Sequence, residues 1–317
     1  MARFAKISIL SFEHYPIEPG EVDYEYYKEK IKAVLRKKIE QVLPDRPDLI
    51  ILPECCNRVD AFSPQQRLEF YHYVGDDMQK MMADIAKKHK VNIAYSAVRC
   101  VEDDRFPFRN STVFFDRHGE VVGIYDKNHL VPEENSVYKI GYGDIPQKLI
   151  ELDIGKIAPA ICFDLNFNEL LERYIKMKPD LIVFSSAFCG NVIQNIWAYR
   201  CRAYFAGAIG AHQNGRIITP FGEIIARTTD NTEYATCKIN LDYEIVHIDC
   251  NTEKLEAAKE KYGEGFIVRD PGGVGCVIIE SAIEGKTVDD IINEFGIERM
   301  DDYYNRARKH RDENYGG

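Results

Sequence analysis

Short apolar segments alternate with longer polar or amphipathic segments along most of this chain. Residues 49–52 read LIIL and residues 181–185 read LIVFS, which is typical of strands that are buried on both faces. Residues 24–42 are instead rich in Glu and Lys, and this segment ends before Pro44, as a helix does. Because strands that alternate with helices must share a core, this order predicts an α/β fold.

The other predicted elements follow the same alternation. Further strands are predicted at residues 4–12, 92–98, 111–115, 121–125, 157–161 and 234–239. Further helices are predicted at residues 64–90, 166–176, 192–204 and 254–261. Residues 127–144 read as a loop, and the strands on either side of the sequence DRHGE form a predicted hairpin.

The length of 317 residues suits one or two domains. Hydrophobic residues make up 45% of the chain and charged residues 29%, which is ordinary for a globular protein with a sizeable core. The sequence contains no internal repeat and no low-complexity linker. We therefore expect one large domain over residues 1–283, followed by a charged C-terminal arm over residues 284–317.

Charge and hydropathy argue against several classes of partner. The formal net charge is −10, which disfavours nucleic acid and anionic membranes. No apolar run approaches the roughly 18 residues that span a bilayer, and the N-terminal sequence lacks the features of a signal peptide. The nine cysteines include no CxxC pair, which argues against a structural zinc site. Scattered cysteines of this kind are typical of proteins in a reducing compartment. We expect a cytoplasmic protein.

Cys162 stands where an apolar strand pattern ends and a helical pattern begins. Carboxyl ends of strands form the edge at which open α/β folds bind ligands, and a helix N-terminus lowers the pKa of a nearby thiol. A lone cysteine in such a place is more often a small buried hydrophobic residue. The position of Cys162 is therefore informative only together with other residues.

Glu54 and Lys127 occupy equivalent positions. Glu54 ends the sequence DLIILPE, and Lys127 follows the strand pattern of VVGIYD. Each residue taken alone is more often solvated or ion-paired than catalytic. If the strands assemble as they read, however, three strand ends bring a carboxylate, an ammonium group and the Cys162 thiol to one edge.

Such a set can perform covalent catalysis. A thiol attacks well only as a thiolate, so Cys162 needs a base, and Glu54 can serve as one. Attack on a carbonyl or nitrile carbon builds negative charge, which a preorganised cation or N–H group stabilises. Lys127 and the backbone N–H of Phe163 can supply that stabilisation.

Three short motifs in this chain resemble those of the nitrilase superfamily, also called the carbon–nitrogen hydrolases. The family marks are a glutamate after an apolar run and proline, a lysine in Y-x-K-x-H-L, and a cysteine in I-C-x-D. This chain reads LIILPE, YDKNHL and ICFD in the same order. The resemblance extends over most of residues 4–240.

The resemblance implies a four-layer αββα sandwich, assembled as a homodimer or larger homo-oligomer, with no metal and no organic cofactor. It implies a general base at Glu54, an oxyanion-stabilising cation at Lys127 and a nucleophile at Cys162. Family members often carry a second glutamate shortly after the lysine. We assign it to Glu134 rather than Glu133, because Glu134 opens the segment ENSVYKIG.

The residues after the cysteine refine the expected activity. True nitrilases usually have tryptophan and glutamate there, whereas this chain has Phe163 and Asp164, as the amidase-like branches do. We expect Asp164 to anchor the backbone rather than react. The expected function is an amidase of a small linear amide or carbamoyl compound, which forms a thioester on Cys162 and releases ammonia or an amine. The alternatives are a nitrilase and a non-catalytic binding or regulatory member.

Three further residues are candidates for contact with the substrate. Ser186, Ala187 and Phe188 directly follow the strand predicted at residues 181–185. Because ligands of α/β folds lie at such strand ends, we expect these residues to line the pocket.

Overall fold

The structure, a computed structural model, describes residues 3–12, 22–210 and 214–315. Its strands, numbered in chain order, are β1 Phe4–Leu10, β2 Leu49–Ile51, β3 Asn92–Cys100, β4 Phe108–Phe115, β5 Val121–Asp126, β6 Ile150–Leu152, β7 Gly155–Ile161, β8 Leu181–Ser186, β9 Tyr204–Ile209, β10 Arg216–Ile218, β11 Ile224–Arg227, β12 Tyr234–Asn240, β13 Tyr243–His247, β14 Phe266–Arg269 and β15 Cys276–Ser281. Its α-helices are α1 Tyr24–Val42, α2 Pro64–Val74, α3 Asp77–His89, α4 Pro132–Ser136, α5 Asn168–Met177, α6 Val192–Cys201, α7 Thr252–Tyr262, α8 Val288–Phe295 and α9 Met300–Asn314.

Two six-stranded sheets lie within the described part of the chain. The first has the order β12-β1-β2-β3-β4-β5 and the second the order β11-β10-β9-β8-β7-β6. The strands β1, β2 and β3 are parallel, as are β7, β8 and β9, whereas the predicted hairpin of β4 and β5 is antiparallel. The two most apolar predicted strands, β2 and β8, are fully buried inside these sheets, as expected for parallel strands.

Each sheet packs against helices on one face and against the other sheet on its opposite face. The helices α1 to α3 share a buried cluster with the first sheet that includes Ile31 and Ile93. The helices α5 and α6 share another cluster with the second sheet, which includes Trp197. Between the sheets, Ser185 Oγ donates a hydrogen bond of 2.8 Å to the carbonyl oxygen of Leu52. The expected αββα sandwich is confirmed.

Local sequence signals explain the first helix. Asp23 caps its first turn, and Ile31, Leu35 and Ile39 recur at intervals of four residues on its buried face. This spacing places apolar side chains along one stripe of α1, which packs on the first sheet. The helix predicted at residues 24–42 is confirmed.

The single helix predicted over residues 64–90 is wrong, because the segment forms two helices. The first, α2, starts with a capping box between Ser63 and Gln66. It ends at Gly75, whose φ of 52° lies in the left-handed region that glycine tolerates. The second helix, α3, starts two residues later and turns its own apolar face to the core.

Two other predicted elements need correction. Residues 127–144 contain the short helix α4 and are not loop throughout. The helix predicted over residues 192–204 ends at Cys201, because Arg202 adopts a left-handed φ of 54° and the strand β9 follows. Tyr204, the last residue of the predicted helix, is therefore the first residue of a buried strand.

The described residues form two compact units. One comprises residues 6–238 and contains the motifs described above, and the other comprises residues 3–5 with residues 239–315. In the second unit, β13, β15 and β14 form an antiparallel sheet, and side chains of the helices, including Ile291, pack with Ile279 of that sheet.

Within the described residues, the expected C-terminal arm is largely helical. The helix α8 buries Val288, Ile291 and Ile292, and α9 continues to Asn314. The expected division of the chain between residues 283 and 284 stays a prediction. None of the helices in the described ranges is long and apolar enough to cross a membrane.

Candidate active site

Four chemically active side chains meet where β2, β5 and β7 end. Glu54 follows β2, Lys127 follows β5 and Cys162 follows β7, while Glu134 lies in the short helix α4. The strands β2 and β5 belong to the first sheet and β7 belongs to the second. The site therefore lies between the two sheets, with the thiol supplied by one sheet and the charged groups by the other.

The Glu54 carboxylate is buried and accepts hydrogen bonds on both oxygens. Its side chain is 4% exposed. The Oε1 atom accepts from Lys127 Nζ at 2.9 Å and from Asn110 Nδ2 at 2.8 Å. The Oε2 atom accepts from the backbone N–H of Ala187 at 3.0 Å. These contacts from three segments fix the orientation of the carboxylate.

The Lys127 ammonium group joins two carboxylates. Its Nζ atom lies 2.9 Å from Glu54 Oε1 and 2.8 Å from Glu134 Oε2, and its side chain is 2% exposed. Glu134 Oε2 also accepts from the backbone N–H of Val131 at 2.9 Å, which holds α4 in place. The structure thus brings Glu134 to Lys127, whereas Glu133 is exposed.

Cys162 lies at a sharp turn in the backbone. Its φ of 47° is left-handed, a conformation that residues with a Cβ atom seldom adopt. The turn places the thiol close to the side chains of Glu54, Lys127 and Ser186. Backbone strain of this kind clusters at functional sites, because the surrounding structure must hold it.

The α-helix that follows Cys162 starts later than predicted. The expected helix over residues 166–176 is α5, which begins at Asn168. A 3-10 helix over Cys162–Asn166 fills the interval. This 3-10 turn, rather than the α-helix, therefore follows the thiol directly.

Asp164 ties the cysteine turn to the lysine segment. It is fully buried, and its Oδ2 atom accepts from Tyr125 Oη at 2.7 Å and from the backbone N–H of Ile161 at 3.0 Å. Its Oδ1 atom accepts from the backbone N–H of His129 at 2.7 Å. Tyr125 and His129 flank Lys127 in the chain. The Asp164 carboxylate therefore fixes both the cysteine turn and the segment that carries Lys127. Asp164 therefore anchors the backbone, as expected.

Burial and charge pairing set the protonation states of the site. Burial opposes ionisation of Glu54, but the adjacent Lys127 ammonium group outweighs it and holds the Glu54 pKa below its ordinary value. Burial likewise opposes the charge on Lys127, but Glu54 outweighs it and raises the Lys127 pKa. Burial, with the Glu54 carboxylate, raises the pKa of Cys162 to about 12. The resting site thus combines an ionised carboxylate, an ammonium group and a neutral thiol.

The predicted pocket residues lie beside this cluster. Ser186 is buried, and its Oγ atom donates to the Phe188 carbonyl oxygen at 2.7 Å and accepts from the Phe188 N–H at 2.9 Å. The backbone N–H of Ala187 donates to Glu54 Oε2. The Phe188 side chain is exposed. Phe163 packs edge to face against Phe167, with ring centroids 5.1 Å apart.

Asn110 is the site residue that sequence reasoning missed. It is fully buried in β4, and its Nδ2 atom donates to Glu134 Oε1 at 2.9 Å as well as to Glu54. Its carbonyl oxygen accepts from the Lys127 N–H at 2.8 Å. The sequence offered one signal for Asn110. It directly precedes the strand predicted at residues 111–115, and an asparagine at such a position is informative because asparagine is depleted in strands.

The arrangement contains the parts that acyl transfer requires. The thiol is a nucleophile, the nearest carboxylate can accept its proton, and the ammonium group can stabilise an oxyanion. Among the described residues, no cluster of three or more His, Cys, Asp or Glu side chains is placed to hold a metal ion.

The sequence model of a known family, described as carbon–nitrogen hydrolase, matches residues 18–245. The chain belongs to the carbon–nitrogen hydrolase family. This carbon–nitrogen hydrolase is 23% identical over 254 residues to a deaminated glutathione amidase of Dictyostelium discoideum, an alignment that covers 71% of this chain and 87% of that protein. It is 26% identical over 242 residues to a chloroplastic omega-amidase of Arabidopsis thaliana, with 67% of this chain and 63% of that protein covered.

Solved structures of carbon–nitrogen hydrolases share the fold. The Helicobacter pylori enzyme superposes with a TM-score of 0.60 at 17% identity, covering 76% of this chain and 90% of that one. An amidase from Nesterenkonia sp. superposes with a TM-score of 0.60 at 16% identity, covering 74% of this chain and 90% of that one. A variant of the Nesterenkonia amidase shows covalent addition of the acetamide moiety of fluoroacetamide at its active-site cysteine.

Proposed function

We propose that this carbon–nitrogen hydrolase is a cysteine-dependent amidase of small linear amides or carbamoyl compounds. The observation that carries the proposal is the buried contact between Glu54 and Lys127 beside the Cys162 thiol. The names of the amoebal and plant relatives, both amidases, favour an amide over a nitrile as the substrate.

In the first step, Cys162 Sγ attacks the carbonyl carbon while Glu54 takes up the thiol proton. Because the thiol pKa is raised to about 12, no thiolate accumulates in the resting site, and proton transfer accompanies the attack. Glu54 Oε1 already accepts two N–H groups, so the proton goes to Oε2. The Lys127 ammonium group and the Phe163 N–H stabilise the oxyanion that forms.

In the second step, the carbon–nitrogen bond breaks. Protonated Glu54 gives its proton to the substrate nitrogen, and the oxyanion electrons re-form the carbonyl group. Ammonia or an amine leaves, and the acyl group remains on Cys162 as a thioester.

Water then releases the acid. The oxygen atom of a water molecule attacks the thioester carbon while Glu54 accepts a proton from that water. Glu134 helps to position the water molecule. The tetrahedral intermediate collapses and expels the sulfur atom of Cys162, which takes back the proton from Glu54. The carboxylic acid leaves, and the site returns to its resting protonation state.

Location and assembly belong to the same proposal. The sequence contains nine scattered cysteines and no CxxC pair, a pattern that suits the reducing cytoplasm. The resemblance to the superfamily favours a homodimer or larger homo-oligomer. Light scattering coupled to gel filtration measures the mass in solution, and a mass of one chain at micromolar concentration argues against this assembly.

Ammonia release from amides, carbamoyl compounds and nitriles tests the proposed reaction. We expect turnover of at least one amide or carbamoyl compound by the wild-type protein and loss of turnover in Cys162→Ser. Cys237→Ser is the matched control, because Cys237 is also partly exposed but lies in β12, and it should retain wild-type turnover. Turnover restricted to nitriles overturns the choice of amide, and turnover that persists in Cys162→Ser overturns the mechanism.

A further inference from the structure

We infer that Asn110 is a positioning residue that holds both carboxylates of the site through one amide nitrogen, an inference that rests on the proposed function. Its Nδ2 atom donates to Glu54 Oε1 at 2.8 Å and to Glu134 Oε1 at 2.9 Å. The two N–H bonds of a planar amide point in fixed directions. The amide therefore sets the relative position of two groups of like charge.

Lys127 bridges the same carboxylates but cannot do so throughout the proposed reaction. Its Nζ atom lies within 2.9 Å of both Glu54 and Glu134 in the resting site. When the oxyanion forms, Nζ has to turn toward it, and its hold on the carboxylates weakens. The neutral Asn110 amide faces no such competition. The backbone carbonyl oxygen of Asn110 also accepts from the backbone N–H of Lys127 at 2.8 Å, so Asn110 positions the backbone of the lysine as well.

The orientation of the Asn110 amide is determined by its surroundings. The reverse orientation would place its oxygen against two carboxylates, which is repulsive. With Nδ2 turned to the carboxylates, the buried Oδ1 atom has no hydrogen-bonding partner among the residues that the structure describes. A buried carbonyl oxygen without a donor is destabilising. Fold stability therefore does not explain the asparagine, whereas its two donors do.

Asn110→Asp tests the inference with little change in shape. When protonated, the introduced carboxyl can donate one hydrogen bond, and when ionised it can donate none and repels the neighbouring carboxylates. The charged and titratable groups at or beside these carboxylates are Glu54, Glu134, Lys127, Cys162, Arg58 and Cys55. We expect kcat/KM at pH 8 to fall by about 100-fold, because the carboxylates are displaced, with part of the activity returning as the pH is lowered to 6.

Thr112→Val is the matched control. Thr112 lies two residues further along β4, so it shares the face of Asn110, and it is equally buried. Its hydroxyl group also has no hydrogen-bonding partner among the described residues. Removing that hydroxyl should leave both kcat/KM and its pH profile unchanged.

The outcomes separate this inference from the proposed function. A new pH-dependent loss in Asn110→Asp but not in Thr112→Val supports the positioning role, and a wild-type pH profile and kcat/KM in Asn110→Asp overturn it. If Asn110→Asp does not fold, Asn110→Ser replaces it, and a lower kcat at unchanged KM supports the role whereas wild-type kcat overturns it.

If the wild-type protein shows no Cys162-dependent turnover, the proposed function fails. The position of Glu54 is then tested by the pH profile of Cys162 alkylation with iodoacetamide. A profile shifted by Asn110→Asp and not by Thr112→Val supports the inference, and identical profiles in all three proteins overturn it.

Discussion

The two halves of the site are held in place by different means. On the side of the first sheet, Glu54, Lys127 and Glu134 hold one another directly, through contacts of 2.8 to 2.9 Å between charged groups. On the side of the second sheet, the Cys162 thiol is neutral, and its position depends on a strained backbone turn. Asp164 stabilises that turn by accepting hydrogen bonds from the backbone N–H of Ile161 and the hydroxyl group of Tyr125.

The difference follows from what each half has to do in the proposed reaction. A nucleophile has to leave its resting position and form a bond, so the protein fixes the backbone of the cysteine turn rather than the sulfur atom itself. The base and the oxyanion-stabilising group act electrostatically, and such groups work best when they are preorganised. The charged half should therefore be sensitive to loss of charge, and the thiol half to loss of backbone anchoring.

The largest effect is expected when the charged half loses its cation. Lys127→Gln leaves the buried Glu54 and the partly buried Glu134 without their ammonium partner, which should cost about 3–5 kcal/mol of unfolding free energy and abolish turnover. Urea unfolding and ammonia release measure the two effects. Lys148→Gln, at an exposed lysine, is the control and should change neither. A Lys127→Gln protein of wild-type stability would show that the pair is not important for the fold.

The anchor of the thiol half should matter less for stability. Asp164→Asn replaces one acceptor oxygen with an N–H donor, which leaves at least one buried backbone or tyrosine group poorly paired and should cost about 1–3 kcal/mol. We expect kcat to fall as the cysteine turn loosens. The exposed Asp144→Asn is the control, measured by the same unfolding and kinetic assays. A wild-type kcat in Asp164→Asn would show that the contacts of Asp164 are not needed for catalysis.

Glu134→Gln sharpens the comparison within the charged half. The substitution removes one of the two carboxylates that Lys127 joins, and kcat should fall by about 10- to 100-fold. Glu133→Gln alters the adjacent but exposed carboxylate and should stay within about twofold of the wild type. Equal kinetics for the two variants would remove Glu134 from the mechanism.

The last difference between the halves concerns how their contributions to stability depend on pH. The Glu54 pKa is lowered in the folded state, so its ionisation contributes stability that is lost as the pH falls below its ordinary pKa of 4.5. The Cys162 pKa is raised from 9.0 to about 12, so the neutral thiol contributes stability that is lost as the pH rises through that interval.

Unfolding free energies measure these two contributions. The difference in unfolding free energy between the wild type and Glu54→Gln should change in acid, and also in base because the Glu54 carboxylate raises the Cys162 pKa. The difference between the wild type and Cys162→Ala should change only in base. Coincident pH windows for the two variants would show that the halves titrate as one unit.

Strand ends made much of the site predictable. Glu54 and Cys162 each follow an apolar run that forms a largely buried strand, and Lys127 follows the edge strand β5, whose apolar residues are also visible in the sequence. Glu134 could be chosen over Glu133 only through the resemblance to the superfamily. Its contact with Lys127 depends on the short helix α4, and the sequence pattern of that segment reads as loop.

The hydrogen-bond partners could not be predicted. Asn110 reaches the carboxylates because it lies beside Lys127 at the end of the β4–β5 ladder, and that register depends on an irregularity between Phe114 and Phe115. A one-residue change of register turns a side chain to the other face of a sheet. The same applies to Asp164, whose partners come from both sheets.

The strands β13, β14 and β15 were missed for a different reason. They lie in the second unit, beyond the segment that the resemblance covers. The strand β14 has only four residues, too few to show a clear alternation of apolar and polar positions.

The most direct test of the account is to identify the residue that carries the acyl group during turnover. Wild-type protein mixed with a turned-over amide and quenched in acid should carry one acyl group, which peptide mass spectrometry should place on Cys162. The Cys162→Ala protein should carry none and release no ammonia. An acyl group on any other residue, or ammonia release by Cys162→Ala, would contradict the central claim that the two sheets assemble a thiol nucleophile and its charged partners.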